Sequence, residues 1–369
     1  MLSDIYHSVY ETFRLNGHSH KQTEGTGVTK RPQQPANPPT DKWTKLPQPR
    51  TAEQRLKDAS EQPEIHMLCG PIWQSGELHI LFADTGVGKS IMAVAIADAL
   101  SKGESFLDLS NECAVMNVLL YDFELSDKQV EKRYSDSFTG DVYCFSPNFF
   151  FDTVDFIQLD ELNPDGNIDD LLFEKIRHDV RTLGIHVLII DNITYLNQYT
   201  TQKTEAALTL MRRLVKLKRE FLLSILVLAH TPKINRNEPI SINHLAGSKQ
   251  LPNFADSVSA IGRSVQDNNI RYWKQIKPSR SAELVYDYNN VITCELVKKD
   301  DKFLTYELLE FNCEREHLRQ SEENSRMAKY QEAKELYDAG KTYAQIAEEL
   351  LGDTKLKGTI YKWIKKVDS

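Results

Sequence analysis

Residues 83–90 read Ala83-Asp84-Thr85-Gly86-Val87-Gly88-Lys89-Ser90, and they lie between an apolar run of strand length and a helical stretch. The glycines let the backbone wrap around a phosphate group with its amide hydrogens, the lysine neutralises phosphate charge, and the serine hydroxyl reaches a magnesium ion. A helix N-terminus directly after the loop adds its own attraction for anions. The segment is therefore predicted to be a P-loop that binds a nucleoside triphosphate and Mg²⁺, with Ile91 as the last contact residue.

Apolar runs of strand length alternate with helical patterns on both sides of this loop. The predicted strands cover residues 77–83, 117–123, 186–191 and 222–230, and the predicted helices cover 89–102, 169–183, 204–220 and a stretch that begins at Ser126. This alternation is typical of a parallel sheet with helices on both faces, so the predicted fold class is α/β. Further apolar runs at 257–262, 270–276, 282–288, 291–296 and 304–309 predict an antiparallel extension of the sheet.

Composition divides the chain into four predicted parts. A disordered tail is predicted over residues 1–62, because the stretch from about 17 to 62 is polar and rich in proline and cannot bury enough apolar surface to fold. Residues 5–15 could form one short amphipathic helix within it. The ATP-binding α/β domain is predicted over 63–312, and a connector dominated by charged residues over 313–325. A small helical domain is predicted over 326–369.

Charge and cysteine content limit the possible environments of the chain. A net charge of −8 argues against a protein whose whole surface binds nucleic acid, although lysines cluster near the C-terminus. The apolar runs are too short to cross a bilayer, so no membrane partner is expected. The five cysteines have no metal-ligand spacing and are interpreted as reduced thiols, which predicts a cytoplasmic location.

Two acidic residues follow predicted strands where ligands bind in open α/β sheets. Asp191 ends the apolar run 187–190 and is predicted to hold Mg²⁺ together with Ser90, although it could instead cap the next turn. Glu124 is the predicted general base that activates the attacking water, with Asp122 as its competitor and an ordinary surface acid as the alternative.

His230 ends the next apolar run and is the fourth candidate. Its imidazole can hydrogen-bond the γ-phosphate or the attacking water and transmit hydrolysis to the loop that follows. The alternative is a histidine buried in the core with its hydrogen bonds satisfied.

The order of these residues resembles that of the RecA-like ATPases, most closely the hexameric replicative helicases of the DnaB-like and plasmid RepA type. The resemblance covers residues 63–310 and implies a ring-shaped homo-oligomer. It implies that Glu124 is the catalytic base and that His230 senses the γ-phosphate. It also implies that Lys277 and Arg280 reach the neighbouring subunit's nucleotide, with Arg280 as the arginine finger, although both could simply lie in a solvated turn.

The same resemblance implies loops that face DNA in the ring channel. They correspond to residues 195–203 and 233–244, and the segment 245–256 closes the second loop. In that loop Lys233 and Arg236 are predicted to follow the phosphate backbone of single-stranded DNA, as Asn235 and Asn237 could. An exposed polar loop without a ligand is the alternative.

Residues 339–347 (Ala-Gly-Lys-Thr-Tyr-Ala-Gln-Ile-Ala) resemble the helix-turn-helix of resolvase- and invertase-type recombinases. The resemblance implies that the last helix enters the major groove of duplex DNA. The residues then predicted to contact DNA are Lys355, Lys357, Thr359, Tyr361, Lys362 and Lys365, while Ile360 and Trp363 form the core. A three-helix packing or oligomerisation module is the alternative.

Three functions remain open from the sequence. The first is an ATP-hydrolysing, helicase-like motor on DNA in the replication, mobilisation or maintenance of a plasmid, phage or mobile element. The second is an oligomeric DNA-binding regulator controlled by ATP, without unwinding activity. The third, a P-loop enzyme for a small molecule, is disfavoured because no lid-like arginine cluster is found. ATP is preferred over GTP because no Asn-Lys-x-Asp motif follows the later strands.

Overall fold

A computed structural model of the chain describes residues 47–62, 64–162, 167–192, 203–231, 234–235, 237–245, 251–319 and 322–367. The chain divides into two units between residues 63 and 64. Within the described part of the second unit, no helix is long and apolar enough to cross a membrane.

The first unit contains a helix, α1 (Ala52–Ser60), in the segment that the sequence predicted to be a disordered tail. That prediction is wrong for these residues because local contacts favour a helix. The Thr51 side chain accepts a hydrogen bond from the Gln54 amide at 3.1 Å, and the Gln54 side chain donates to Asp58 at 2.7 Å. Residues 1–46 of the predicted tail lie outside the described residues.

The second unit alternates strands and helices through most of its length. Its strands are β1 (Met67–Cys69), β2 (Trp73–Gln74), β3 (Leu78–Ala83), β4 (Val118–Asp122), β5 (Phe149–Asp152), β6 (Val187–Asp191), β7 (Ser224–His230), β8 (Ser257–Arg263), β9 (Ile270–Lys277), β10 (Val291–Lys299) and β11 (Phe303–Asn312). Its α-helices are α2 (Lys89–Lys102), α3 (Asp127–Arg133), α4 (Phe156–Leu162), α5 (Ile168–Leu183), α6 (Lys203–Phe221), α7 (Leu251–Phe254), α8 (Glu322–Asp338), α9 (Tyr343–Leu351) and α10 (Lys357–Val367).

Nine of the described strands form one sheet in the order β11-β10-β9-β8-β3-β7-β6-β4-β5. The six strands from β8 to β5 are parallel, and β9, β10 and β11 continue the sheet antiparallel. The predicted mostly parallel α/β sheet with an antiparallel extension is therefore confirmed. The strands β1 and β2 form a separate antiparallel pair.

The two faces of the sheet are buried by different helices. On β3, Leu78, Ile80 and Phe82 pack in the cluster that contains the apolar sides of α5 and α6. Leu81 and Ala83 pack in the opposite cluster, which contains α2. This alternation follows from the two-residue period of a strand, and it holds the carboxyl ends of the parallel strands in a fixed layer between helices.

The predicted strand over 282–288 is not formed. The side-chain oxygen of Gln275 accepts hydrogen bonds from the amides of Val285 and Tyr286, both at 2.8 Å. The backbone N–H of Gln275 donates to the carbonyl of Tyr286 at 2.7 Å. One glutamine thus satisfies the backbone of this segment in place of a neighbouring strand.

The predicted connector over 313–325 begins inside the α/β domain, not after it. Residues Glu314–His317 form a short 3₁₀ helix in which the first and last side chains are buried. The Glu314 carboxylate forms an ion pair with Lys274 of β9 and accepts the Ile240 amide at 2.8 Å. His317 contacts the hydroxyl of Ser264 at 2.9 Å. Glu314 and His317 are therefore structural, because each finds a buried partner, whereas Arg315 and Glu316 between them are exposed.

The helices α8, α9 and α10 have a hydrophobic core of their own. Its buried members are Ala333, Ile346, Ala347, Ile360 and Ile364, with Trp363 packed against them. The helix α9 begins at a capping box formed by Thr342 and Gln345, as the sequence predicted for Thr342, and ends at Gly352 in a left-handed conformation. A small all-α part thus follows the sheet in the chain.

Candidate active site

The predicted phosphate-binding loop connects β3 to α2. Gly86 and Gly88 have positive φ angles of 71° and 114°, which other residues rarely adopt. Gly88 is also the N-cap residue of α2. Thr85 and Gly86 are exposed, whereas Val87 is buried. The loop therefore has the strand–loop–helix context that its sequence predicted.

Lys89 lies at the centre of the candidate site and is 5% exposed. Its Nζ donates to the carbonyls of Ala83 and Asp84 at 3.0 and 3.2 Å, and it lies 3.1 Å from Nδ1 of His230. Burial lowers the pKa of the Lys89 ammonium, while the carboxylates of Asp191, Glu124 and Asp84 act in the opposite direction.

Asp191 and Ser90 lie together at the end of β6 and the start of α2. The Asp191 carboxyl is buried and hydrogen-bonded to the Ser90 side chain. Burial raises the pKa of Asp191 to about 7; the Ser90 hydrogen bond opposes this rise, and the neighbouring charges of Asp122 and Glu124 add to it. A buried carboxyl beside two further acids is suited to a cation, although the nearby Lys89 ammonium already opposes part of the rise.

This pair fits a magnesium ion by its donor chemistry. Mg²⁺ prefers oxygen ligands and is usually held by one or two protein groups together with phosphate oxygens and water. Across the described ranges, no group of three or more His, Cys, Asp and Glu side chains could hold a metal. Ser90 and Asp191 would therefore hold the ion together with the nucleotide.

Glu124 follows β4 and is the most accessible acid of the group, with its side chain 41% exposed. Its Oε1 lies 3.1 Å from Nε2 of His230 and accepts a hydrogen bond from the Asn192 amide. The hydrogen bond from His230 lowers the pKa of Glu124 most strongly, against the effect of burial. An ionised, accessible carboxylate at this position is suited to act as a general base.

Asp122, the competing acid, has a different role. It is buried, and its Oδ1 accepts the amides of Glu124 and Leu125 at 2.7 and 3.0 Å. It lies opposite Asp191 in the register of β4 and β6. Asp122 therefore fixes the turn from which Glu124 projects.

His230 connects the lysine to the candidate base. Because a lysine ammonium can only donate, Nδ1 of His230 must be the acceptor, and the proton is then assigned to Nε2, which faces the Glu124 carboxylate. The Asn192 side-chain nitrogen lies 2.8 Å from the same Nε2 and donates to Glu124. The side chain is 24% exposed, so it is not a histidine enclosed in the core. His230 lies opposite Ala83 in the register of β3 and β7, which places it beside the loop.

Parts of the chain are similar to known proteins. A family model described as an AAA domain matches residues 45–236, which include the loop, Glu124, Asp191 and His230. The chain belongs to this AAA-domain family. No curated protein matches the chain. Among solved structures, a KaiC-like protein from the hyperthermophilic archaeon Pyrococcus horikoshii OT3 is similar, with 13% sequence identity and a TM-score of 0.43; the match covers 63% of this chain and 90% of that one.

Four further residues of this AAA-domain protein contact the site and were missed by sequence reasoning. Asn192 follows Asp191 directly and donates a hydrogen bond to Glu124. Its position just after a strand-end acid was the one sequence signal that could have indicated a site residue. Arg263 of β8, Arg271 of β9 and Tyr306 of β11 each donate a hydrogen bond to a carbonyl of the loop. Nothing in their spacing relates them to residues 83–90, since the pairing of β8, β9 and β11 in the folded sheet brings them there.

Lys277 and Arg280 do not join the site within one chain. Lys277 ends β9 opposite Val258, whereas Arg271 near the other end of β9 reaches the loop. The Lys277 Nζ donates to the carbonyls of Pro252 and Ala255 at 3.0 and 2.6 Å, and Arg280 is exposed. Their contact with a neighbouring subunit's nucleotide stays a prediction.

The residues predicted to bind DNA divide into two groups. Lys233, Arg236 and residues 195–202 lie outside the described residues. In the same loop, Asn235 donates to Glu238 at 2.9 Å, so its side chain is used locally. Near the C-terminus, five of the predicted contacts are exposed: Lys355, Lys357, Tyr361, Lys362 and Lys365. The sixth, Thr359, is half-buried.

Asp256 ends the segment that the resemblance assigned to closing the second loop. Its carboxylate accepts the Leu78 amide at 2.9 Å and pairs with Lys218 at 2.6 Å. Asp256 therefore anchors this segment to the beginning of β3. Residues 246–250 of the segment lie outside the described residues.

Proposed function

We propose that this AAA-domain protein hydrolyses ATP with Mg²⁺ and works as a helicase-like motor on DNA in a ring-shaped homo-oligomer. The observation that carries the hydrolysis is the connection from Lys89 through His230 to Glu124. The Lys89 ammonium, which can neutralise phosphate charge, lies at one nitrogen of the imidazole. The accessible carboxylate of Glu124 lies at the other nitrogen. The proposed setting is the replication, mobilisation or maintenance of a plasmid, phage or mobile element.

The residues divide the chemistry between them. The amides of the loop and Lys89 bind the β- and γ-phosphates, and Ser90 and Asp191 hold the ion. Mg²⁺ supplies positive charge to the phosphate oxygens when it is bound. Glu124 accepts a proton from the attacking water, and the Nε2 proton of His230 orients its carboxylate.

A coupling to DNA is supported by the place of His230 in the chain. It is the last residue of β7, and the polar stretch 231–250 follows it directly. When Lys89 turns to bind the γ-phosphate, His230 loses the hydrogen-bond partner of its Nδ1. The resulting movement of the His230 side chain can then be passed to residues 231–250. Lys233 and Arg236 are the residues we propose to meet single-stranded DNA in the channel.

An ATP-controlled regulator is the second candidate, and the C-terminal helices favour it. They have their own apolar core, and on α10 Tyr361, Lys362 and Lys365 are exposed beside the buried Ile360 and Ile364. Basic side chains on the open face of a small helical unit suit the phosphates of a duplex. In this role ATP would set the oligomeric state without unwinding.

ATP turnover of the full chain with and without DNA tests the proposal. The rate is measured without DNA, with single-stranded DNA and with duplex DNA, and Lys89→Ala serves as the inactive control. A motor requires a rate that rises with single-stranded DNA and falls to background in the control. An equal rate in all three conditions would overturn the motor. Tight duplex binding that is lost in Lys357→Gln/Lys362→Gln, without stimulation of turnover, would support the regulator instead.

A further inference from the structure

Three side chains from the second half of the sheet hold the outer side of the phosphate-binding loop. Arg263 donates from Nη2 to the Gly86 carbonyl at 2.9 Å, and Arg271 donates from Nε to the Val87 carbonyl at 2.6 Å. The Tyr306 hydroxyl donates to the Gly88 carbonyl at 3.1 Å. Three consecutive carbonyls of the loop are thus each bound by a separate strand.

Two of these contacts, those of Arg271 and Tyr306, are enclosed and tightly packed, whereas the bond from Arg263 to Gly86 is exposed. Arg271 is 4% exposed and Tyr306 is 2% exposed. A Cβ atom added to Gly88 would lie 1.9 Å from the Tyr306 hydroxyl, so only a glycine allows this approach. The Gly88 carbonyl also accepts the Met92 amide of α2 at 3.0 Å, so the Tyr306 hydroxyl adds a second hydrogen bond to a carbonyl that the helix already engages.

The direction of these carbonyls determines the direction of the following amides. A trans peptide is planar, and the C=O of one residue and the N–H of the next point in opposite directions. Holding the carbonyls of Val87 and Gly88 on the outer side therefore turns the N–H groups of Gly88 and Lys89 toward the inner, concave side. Converging amides of this kind make an anion site.

We propose that Arg263, Arg271 and Tyr306 are positioning residues that set the affinity for the triphosphate by fixing the amides of the loop. The inference rests on the proposed nucleotide binding of this site. All three residues lie beyond the segment that the AAA-domain family model matches, which ends at residue 236. The strand β8 and the antiparallel extension thereby supply part of the order that a phosphate site needs before its ligand arrives.

The substitution Tyr306→Phe tests this with little disturbance, because it removes one hydroxyl and keeps the ring. Tyr121→Phe is the matched control: Tyr121 is also a buried strand tyrosine, but its hydroxyl donates to Asp179 of α5. Affinity of the full chain for MgADP and for a non-hydrolysable Mg·ATP analogue is measured by calorimetry. Hydrogen exchange of the peptide 83–91 is measured without nucleotide.

We expect Tyr306→Phe to weaken both nucleotides about three- to tenfold, as loss of one buried hydrogen bond does. Amide exchange in 83–91 should rise in the same variant. Tyr121→Phe should leave both readouts at the wild-type value even if its melting temperature falls as much. Arg263→Gln, which removes the bond to Gly86, should repeat the effect, and Arg263→Lys should restore part of it.

The outcomes separate this inference from the proposed function. If the wild-type chain binds no nucleotide, the proposed function fails first. If the wild type binds, Lys89→Ala does not, and both Tyr306→Phe and Arg263→Gln bind as tightly as the wild type with unchanged exchange, the positioning role is wrong. Equal weakening by Tyr121→Phe would also overturn it, because the effect would then be one of general stability.

Discussion

The Nε2 atom of His230 lies 3.1 Å from the Oε1 atom of Glu124. The two residues are more than a hundred positions apart, and they meet because β4 and β7 end at the same edge of the sheet. Since the other nitrogen of the ring takes the Lys89 ammonium, one imidazole relates phosphate binding to the candidate base. Hydrolysis in this account depends on that connection.

Removal of the imidazole should slow turnover more than it weakens binding. In His230→Ala, Glu124 loses the hydrogen bond that orients it, so we expect kcat for ATP to fall by at least about tenfold, a change of ~1.4 kcal/mol in the barrier. The affinity for a Mg·ATP analogue should change less, because the loop and Lys89 remain. His230→Gln, which keeps a polar side chain, is the control and should retain more of the rate. A loss of binding equal to the loss of rate would contradict this role.

The buried histidine on β3 predicts a pH dependence of stability. His79 lies 2.8 and 2.7 Å from the hydroxyls of Ser257 and Ser259, and burial lowers its pKa to about 3. Because the unfolded chain binds the proton more readily, this site's contribution to stability is present above pH ~6.5 and is lost as the pH falls toward 3. Its slope can reach about 1.4 kcal/mol per pH unit.

Urea unfolding at pH 7.5, 6.0 and 5.0 checks this. The wild type should lose stability over this range, and His79→Gln should lose measurably less. Identical slopes for the two proteins would show that another group carries the dependence.

The buried ion pair between β9 and the 3₁₀ helix predicts a strong asymmetry between substitutions. Glu314→Ala leaves the Lys274 ammonium without its partner in a site where both side chains are nearly inaccessible, which should cost about 3–5 kcal/mol of unfolding free energy. Lys274→Met combined with Glu314→Leu removes both charges and should recover most of that loss. Thermal and urea unfolding measure both. A Glu314→Ala variant as stable as the wild type would contradict this structural role and support the predicted solvated connector.

The predicted arginine finger is tested by mixing two inactive proteins. Arg280→Ala lacks the finger but keeps its own loop, whereas Lys89→Ala lacks the loop lysine but keeps the finger. In a closed ring with head-to-tail contacts, an equal mixture should recover about one quarter of the wild-type rate, because one interface in four combines an intact loop with an intact finger. Arg280→Ala alone, at the same total protein concentration, should show no such recovery. No recovery in any ratio would assign Lys277 and Arg280 to a solvated turn.

Much of the sheet was predictable because its strands are short, apolar and bounded by polar residues. The predicted ends of α2 coincide with those in the structure, since Gly88 and Gly103 mark both of its ends. The edge strand β5 was missed because its run of three phenylalanines lacks alternation and is short. The strand predicted over 282–288 failed because the side chain of Gln275, which no local pattern reveals, takes its hydrogen bonds.

The candidate site was predictable only where function follows position along a strand. Glu124, Asp191 and His230 each stand at or just beyond the end of a parallel strand, and parallel strands bring such ends together. Arg271 and Tyr306 reach the loop through antiparallel pairing, and Arg263 reaches it through the parallel pairing of β8 with β3; both registers depend on the folded sheet. For Glu314, local charge density indicated solvent, whereas the distant Lys274 decided its burial.

Phosphate release from Mg·ATP by Glu124→Gln, compared with Asp122→Asn, tests the account most directly. Binding of the ATP analogue is measured alongside, so that turnover and affinity are separated. We predict that Glu124→Gln binds nucleotide about as well as the wild type and loses roughly a hundredfold or more in turnover, the usual contribution of a general base. Asp122→Asn, whose amide can still accept through its oxygen, should lose less. Turnover at the wild-type rate in Glu124→Gln would contradict this role, because Glu124 would then not be the general base.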